Sequence, residues 1–199
     1  MTKNFYEAVE NRHSIYGLSD EFVISDERLQ EVLHIAVKHA PSAFNSQTAR
    51  LVVLLEDQNQ EFWKQVFDGI KDGLSEERYE RNKKRFEGFA SGHGTVLVFE
   101  DEKEIATYQE KFSDLADVFP IFSQQSSGML QYLVWTTLEN EGFGASLQHY
   151  YPQLSEELKK QWGIQEGWKL ISEIPFGAPT ESPKPKEYKP AEDMVSIVK

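Results

Sequence analysis

The sequence predicts an α+β domain in which a small sheet is wrapped by helices. Three observations lead there. Apolar residues recur at helical spacing over several long stretches, whereas the branched apolar runs that read as strands are few and short. Those runs are separated by helices of unequal length, so the order is not a serial strand–helix–strand array. The chain has 199 residues, 39% of them hydrophobic and including 13 Phe, 8 Tyr and 4 Trp, which suits one continuous core. A single domain over residues 1–199 is expected, with residues 178–199 as an extended tail.

Residues 4–11 read as a short helix with Phe5, Ala8 and Val9 on one side. Ser25 is an N-cap candidate, followed by Asp26 and Glu27 where a helix dipole favours anions. Leu29, Val32, Leu33, Ala36, Val37 and Ala40 then form an apolar stripe that Pro41 ends. Residues 41–47 are a loop by composition, and residues 51–55 are a continuous apolar run, most simply a buried strand. Residues 59–91 read as two helices broken near Gly73. The second carries Arg81, Lys83, Lys84 and Arg85, yet residues 76–87 hold four acids against five bases, with Glu77 and Arg81, and Glu80 and Lys84, at i,i+4. A solvated face accounts for this run better than nucleic-acid binding.

Residues 94–99 give a second strand. Residues 121–141 give a helix apolar nearly all round, the mark of a central buried one, closed by Gly142. A short extended segment at 145–149, an amphipathic helix at 153–162 and a third strand at 168–174 follow. Pro179, Pro183, Pro185 and Pro190 make the tail non-helical, and residues 194–198 alternate as a last strand that must pair with its own sheet or a partner's.

Charge and composition exclude several classes. Net charge is −12, from 33 acidic and 21 basic residues, which argues against nucleic-acid or anionic-membrane binding. Zero Cys removes disulfides and thiolate metal sites. No run reaches membrane-spanning length and the first residues lack a secretory apolar core, so a cytoplasmic protein is expected.

Motifs for hydrolysis or dinucleotide binding are missing. Gly92-His93-Gly94 lacks a third glycine and precedes a strand instead of following one. Ser146 lies in Gly-Ala-Ser-Leu-Gln, which fails the nucleophile-elbow pattern. His34 and His39 are five apart and face different ways on a helix.

What remains are polar segments beside strong core elements. Arg12-His13-Ser14 offers a guanidinium fork and a hydroxyl that suit a phosphate, or else simply ends a helix. Pro41, Ser42, Asn45 and Gln47, with Arg50 behind, offer hydrogen-bonding groups with little bulk for a flat heteroaromatic ligand, or form an ordinary connection. Residues 123–129 are small and polar, permitting close approach of a ligand or another helix. Lys184 and Lys186, at i,i+2 in an extended tail, point the same way and either clamp an anion or are solvated.

In this order and spacing these segments resemble the nitroreductase family of FMN-dependent oxidoreductases, across nearly the whole chain. The landmarks are Arg12-His13-Ser14-Ile15, Ala40-Pro41-Ser42-Ala43-Phe44-Asn45-Ser46-Gln47, Gly142-Phe143-Gly144-Ala145-Ser146 and Pro175-Phe176-Gly177. The fuller strings are similar to a compact subgroup of bacteria and fungi. Where many relatives carry Lys two residues after the triplet, this chain has Tyr16.

The resemblance implies the nitroreductase fold, a homodimer with an exchanged C-terminal arm, and FMN at the subunit interface. It implies that Arg12, His13, Ser14, Lys184 and Lys186 hold the phosphate and ribityl. Ser42, Asn45 and Gln47 then come from the other subunit to the ring edge and ribityl chain, Pro41 also counts as cofactor-binding, and Leu147, Gln148 and His149 present backbone to the reactive edge. NAD(P)H is the implied donor, and small electron-poor acceptors such as nitroaromatics or quinones take the electrons in a ping-pong cycle through flavin N5. No side-chain catalyst or metal is then required. The alternatives are a flavin-binding sensor or storage protein with negligible turnover, and a non-flavin interaction protein.

Overall fold

The computed structural model describes residues 4–199. Its elements are α1 (Phe5–Asn11), β1 (Leu18–Ser19), α2 (Asp26–His39), β2 (Ala49–Leu55), α3 (Glu56–Ile70), α4 (Glu76–Ala90), β3 (Gly94–Asp101), α5 (Glu102–Lys111), α6 (Phe119–Glu141), β4 (Gly144–Ala145), α7 (Glu156–Gln161) and β5 (Trp168–Pro179). The strands form one antiparallel sheet in the order β1-β5-β3-β2, with β4 also on β5. The expected α+β class holds.

Period-two alternation in β3 divides the core. Val96 and Val98 face Leu29, Leu33 and Ala36 of α2 and Leu130, Val134 and Leu138 of α6. Leu97 and Phe99 face Phe62, Trp63 and Val66 of α3 and Phe86 and Phe89 of α4. The sheet is therefore a middle layer with helices on both faces, and β3 is buried throughout except at Asp101. A buried polar chain ties the second layer down: Trp63 Nε1 donates to Thr95 Oγ1 at 2.8 Å, which donates to Asn59 Oδ1 at 2.6 Å, while Asn59 Nδ2 reaches the Phe89 carbonyl at 3.1 Å. Gly177 is required where β5 passes β1, because a Cβ there meets the Ser19 carbonyl at 2.5 Å.

Four sequence expectations need correction. The apolar run of β2 is an edge strand: only Leu54 is buried, and Leu51, Val53 and Leu55 line a 550 Å³ groove with Leu29, Leu33 and Val37 of α2. The run is apolar because α2 lies over one face and α3 over the other, not because a strand flanks each edge. Helix α6 is not covered all round, since Ile121, Met129 and Tyr132 remain about half exposed. Of the two pairings expected for residues 194–198, the one with the chain's own sheet does not form, and the segment is solvent-exposed. The tail also contains one helical turn of 3-10 type, Ala191–Asp193, just after Pro190, where a fixed φ is compatible with turn entry.

Smaller differences have simple causes. Phe5 is exposed, and in α1 only Ala8 is buried. Helix α7 starts late because Ser155 caps it, its hydroxyl accepting the Leu158 amide at 3.2 Å. The i,i+4 pairs expected in α4 are not among the ion pairs formed, but Arg81, Lys83, Lys84 and Arg85 are solvated as expected.

Candidate functional site

Helix α6, 23 residues and about 34 Å long, carries two groups of site residues at different heights. The first group lies at its C-terminal half. A capping box starts α1, with Asn4 and Glu7 exchanging side-chain-to-backbone bonds at 3.1 and 2.8 Å. The chain leaves α1 at Arg12, whose guanidinium lies 4.3 Å from the Trp135 ring centroid of α6. His13 Nδ1 is 2.7 Å from the Asn11 carbonyl. Ser14 bridges to Ala145 in parallel, and the Ile15 amide donates to the Ala145 carbonyl at 2.9 Å, setting the triplet against β4.

The tail returns to this group. Glu181 Oε1 accepts the Tyr16 and Gly17 amides, each at 3.0 Å, which holds its carboxyl below the usual range. Lys186 Nζ then donates to the Arg12 carbonyl at 2.7 Å. Desolvation, and after it the Arg12 charge, lower the Lys186 pKa. Among the described residues no carboxylate forms an ion pair with Arg12, Lys184 or Lys186. A 450 Å³ cavity bordered by His13, Trp135, Gly144 and Ser182 adjoins the group. Tyr16 belongs elsewhere: its ring packs against Phe89 of α4 with Arg85 over it at 5.5 Å.

The second group is the loop after α2. The Gln47 amide donates to Ser42 Oγ at 3.0 Å across a single turn, Ala43–Asn45. Phe44, Asn45 and Gln47 all have left-handed φ, at 55°, 54° and 49°. Three such non-glycine residues in one short loop store strain of order 1–3 kcal/mol each, and strain of this kind concentrates where a ligand is clamped. The loop is anchored below by Arg50, which donates to the Gln47 carbonyl at 2.7 Å, and by Thr48, whose hydroxyl bonds Glu100 at 2.5 Å. Ser123 of α6 donates to the same Glu100 oxygen at 2.7 Å; burial pushes this carboxyl up. Asn45 and Gln47 stay exposed beside a 270 Å³ cavity lined by Pro41, Ser42, Gln47, Ser126 and Leu130.

Sequence reasoning missed the aromatic wall next to this loop. The Phe44 ring stacks on Phe112 at 4.7 Å and leans on Phe119 at 5.7 Å, and Tyr108 of α5 extends the row. Helix α5 gave no signal because it buries no residue; Ile105 and Tyr108 are its only large apolar positions.

The third segment, residues 147–149, adjoins the triplet through β4. Gln148 and Glu173 bond reciprocally through their backbones at 2.7 and 3.0 Å, the Gln148 side chain turns inward to Ser146 at 3.0 Å, and His149 is exposed. The chain thus gathers Arg12, His13, Ser14 and Lys186, with residues 147–149 following Ala145, the bridge partner of Ser14, and Lys184 two residues from Lys186. Pro41, Ser42, Asn45 and Gln47 are not brought to that group. Their contact at Ser126 lies nine residues from Trp135, about 13 Å along α6. Among the described residues no cluster of His, Asp or Glu has the makings of a metal site.

The donor set fits an anion at one group and a planar polar ring at the other, on a helical and antiparallel scaffold. A model of the nitroreductase family matches residues 9–178, and the chain belongs to this family of oxidoreductases. It is similar to the nitroreductase FRM2 of Saccharomyces cerevisiae, 31% identical over 189 residues, covering 94% of each chain. It is also similar to the solved nitroreductase CinD of Lactococcus lactis, described in complexes with chloramphenicol and with 4-nitrophenol. The identity is 34% and the TM-score 0.86 and 0.85 respectively, covering 98% of this chain and 100% of that one. A nitroreductase of Desulfitobacterium hafniense with bound FMN shares the fold at 18% identity and a TM-score of 0.71. Among the described residues no helix is long and apolar enough to cross a membrane.

Proposed function

We propose that the chain is an FMN-dependent NAD(P)H oxidoreductase that reduces small electron-poor acceptors, and that it works as a homodimer. The observation that carries the reading is that the Lys186 ammonium, from the far end of the chain, reaches the Arg12 backbone carbonyl, near enough for the Arg12 charge to disfavour its own, with no ion-paired carboxylate on either among the described residues. Holding like charges together costs free energy unless an anion joins them. In a chain of net charge −12, long-range attraction supplies no help, so a phosphate must be held locally. Charge-assisted hydrogen bonds at about 1.5–3 kcal/mol each make three or four of them enough for much of the ~8 kcal/mol of micromolar retention.

Arg12, His13, Ser14, Lys184 and Lys186 hold the phosphate and ribityl in this reading. The 147–149 backbone faces the reactive ring edge, and Pro41, Ser42, Asn45 and Gln47 of a second copy close the other side. FMN held there would supply the redox chemistry, a two-electron exchange at flavin N5 between NAD(P)H and the acceptor in a ping-pong order. The protein binds, orients and excludes water. The exposed face of α6 at Ile121, Met129 and Tyr132 is where two copies meet, which brings the separated groups together. Residues 194–198 of one copy then add to the free edge of β2 in the other, with alternate apolar side chains in the groove beside α2. The 4-nitrophenol complex of CinD supports a nitroaromatic as one acceptor.

Purified protein is expected to be yellow, with about one FMN per chain, bleached by NAD(P)H without oxygen and recoloured by a nitroaromatic or quinone. Colourless protein that takes up no added FMN overturns the reading. Bleaching with negligible turnover identifies a sensor or store instead of an enzyme.

A further inference from the structure

Glu173 has no part in the chemistry above, yet it occupies the centre of β5 with no exposure at all. Its side chain and backbone make four bonds to one short segment. The Gln148 amide donates to its carbonyl at 2.7 Å, and its amide donates to the Gln148 carbonyl at 3.0 Å. One carboxylate oxygen accepts the Tyr150 amide and the other the Tyr151 amide, both at 3.0 Å. Tyr151 sits at φ 48°, a left-handed conformation that needs such outside support.

Only an ionised carboxylate satisfies two separate N–H donors with its two oxygens; a glutamine or a protonated acid presents one acceptor and one donor. No ion pair to Glu173 exists among the described residues to offset its burial, and an apolar residue here would avoid that cost. Its register neighbour on β3 is Leu97, and Trp63 and Phe86 of α3 and α4 pack on the Tyr150 ring. The titratable groups on the turn itself are His149 and the two tyrosines.

Resting on the proposed flavin site, we infer that Glu173 is a positioning residue whose carboxylate fixes the backbone of residues 147–151 against the reactive edge of the flavin ring. Burial places its titration at about 7, so the clamp tightens as pH rises through neutrality.

The test uses the full-length chain, freed of flavin and titrated back, with amide exchange followed residue by residue. In Glu173→Gln, exchange at Tyr150 and Tyr151 is expected to rise tenfold or more while Val96 and Val98 keep their protection, and FMN affinity is expected to fall at least tenfold. Affinity within twofold of wild type, with those two amides exposed, overturns the inference and leaves Glu173 a folding residue. Should the variant fail to fold, wild type at pH 6 and pH 8 gives the same reading with riboflavin, which has no phosphate to titrate. Riboflavin affinity must rise with the protection of those two amides; a flat affinity overturns the inference. A wild-type chain that binds no flavin at all sinks the proposed function and this inference together, whereas an unaltered variant beside a flavin-binding wild type sinks only this one.

Discussion

Lys186 donates to the backbone carbonyl of Arg12 across 174 residues of sequence, at 2.7 Å. The contact closes the tail onto the end of the first helix and sets the Lys186 ammonium within the influence of the Arg12 charge, with no ion-paired acid on either among the described residues. Replacing either residue by alanine is expected to weaken FMN binding by roughly 10- to 150-fold, the equivalent of one charge-assisted bond of about 1.5–3 kcal/mol. Fluorescence titration of FMN measures this. Unchanged binding in both variants removes the phosphate role from this cluster.

Removal of residues 190–199 uncovers whatever the arm covers. The shortened chain is expected to shift from dimer toward monomer in sedimentation velocity at micromolar concentration, and to lose FMN in parallel. The free edge of β2 and its apolar groove predict aggregation as a side effect. A stable dimer that keeps its flavin contradicts arm exchange.

The pH dependence of stability follows from the two buried acids. Glu173 titrates at about 7 in the folded chain against 4.5 as the ordinary value, because burial disfavours its charge. A raised folded pKa means that the native state binds the proton more tightly. The resulting stability is fully present below about pH 4.5 and is lost as pH rises through about 7. On the order of 3 kcal/mol is at stake, and Glu100, also raised by burial, acts in the same direction. Thermal melts of flavin-free protein are therefore expected to fall from pH 5 to pH 8, with a shallower fall in Glu173→Gln. A melting temperature that rises over this range contradicts the sign.

Phe44 is held in a left-handed conformation while its ring stacks on Phe112. Phe44→Gly relieves the backbone and removes the ring. Unchanged or slightly raised stability is expected, together with a several-fold increase in KM for aromatic acceptors and little change in FMN affinity. Steady-state kinetics on 4-nitrophenol beside a non-aromatic acceptor distinguishes a stacking wall from a loop prop; equal changes for both acceptors favour the prop.

Much of this architecture is legible in the residues. The stripe from Leu29 to Val37, the Ser25 cap and the αL residue Gly142 are local signals, and local geometry decides them. The Arg12 and Lys186 contact is not local, and only the resemblance placed the two together. Strand β1 is two residues long and exists because Leu18 and Ser19 meet the end of β5, a partner that periodicity does not reveal. The apolar run of β2 gave strand but not position, because an edge strand between two helices and a central strand leave the same trace in sequence. Glu173 was invisible for a related reason: a single acid in an apolar strand reads as a solvent-facing alternation, and its two amide partners lie more than twenty residues away.

The spacing of the two groups along α6 has a genetic consequence in the proposed dimer. Each pocket draws Arg12 from one chain and Asn45 from the other. Two inactive alleles, one damaged at Arg12 and one at Asn45, are then able to rescue each other when co-expressed, since a mixed pair contains one wholly intact pocket beside one doubly damaged.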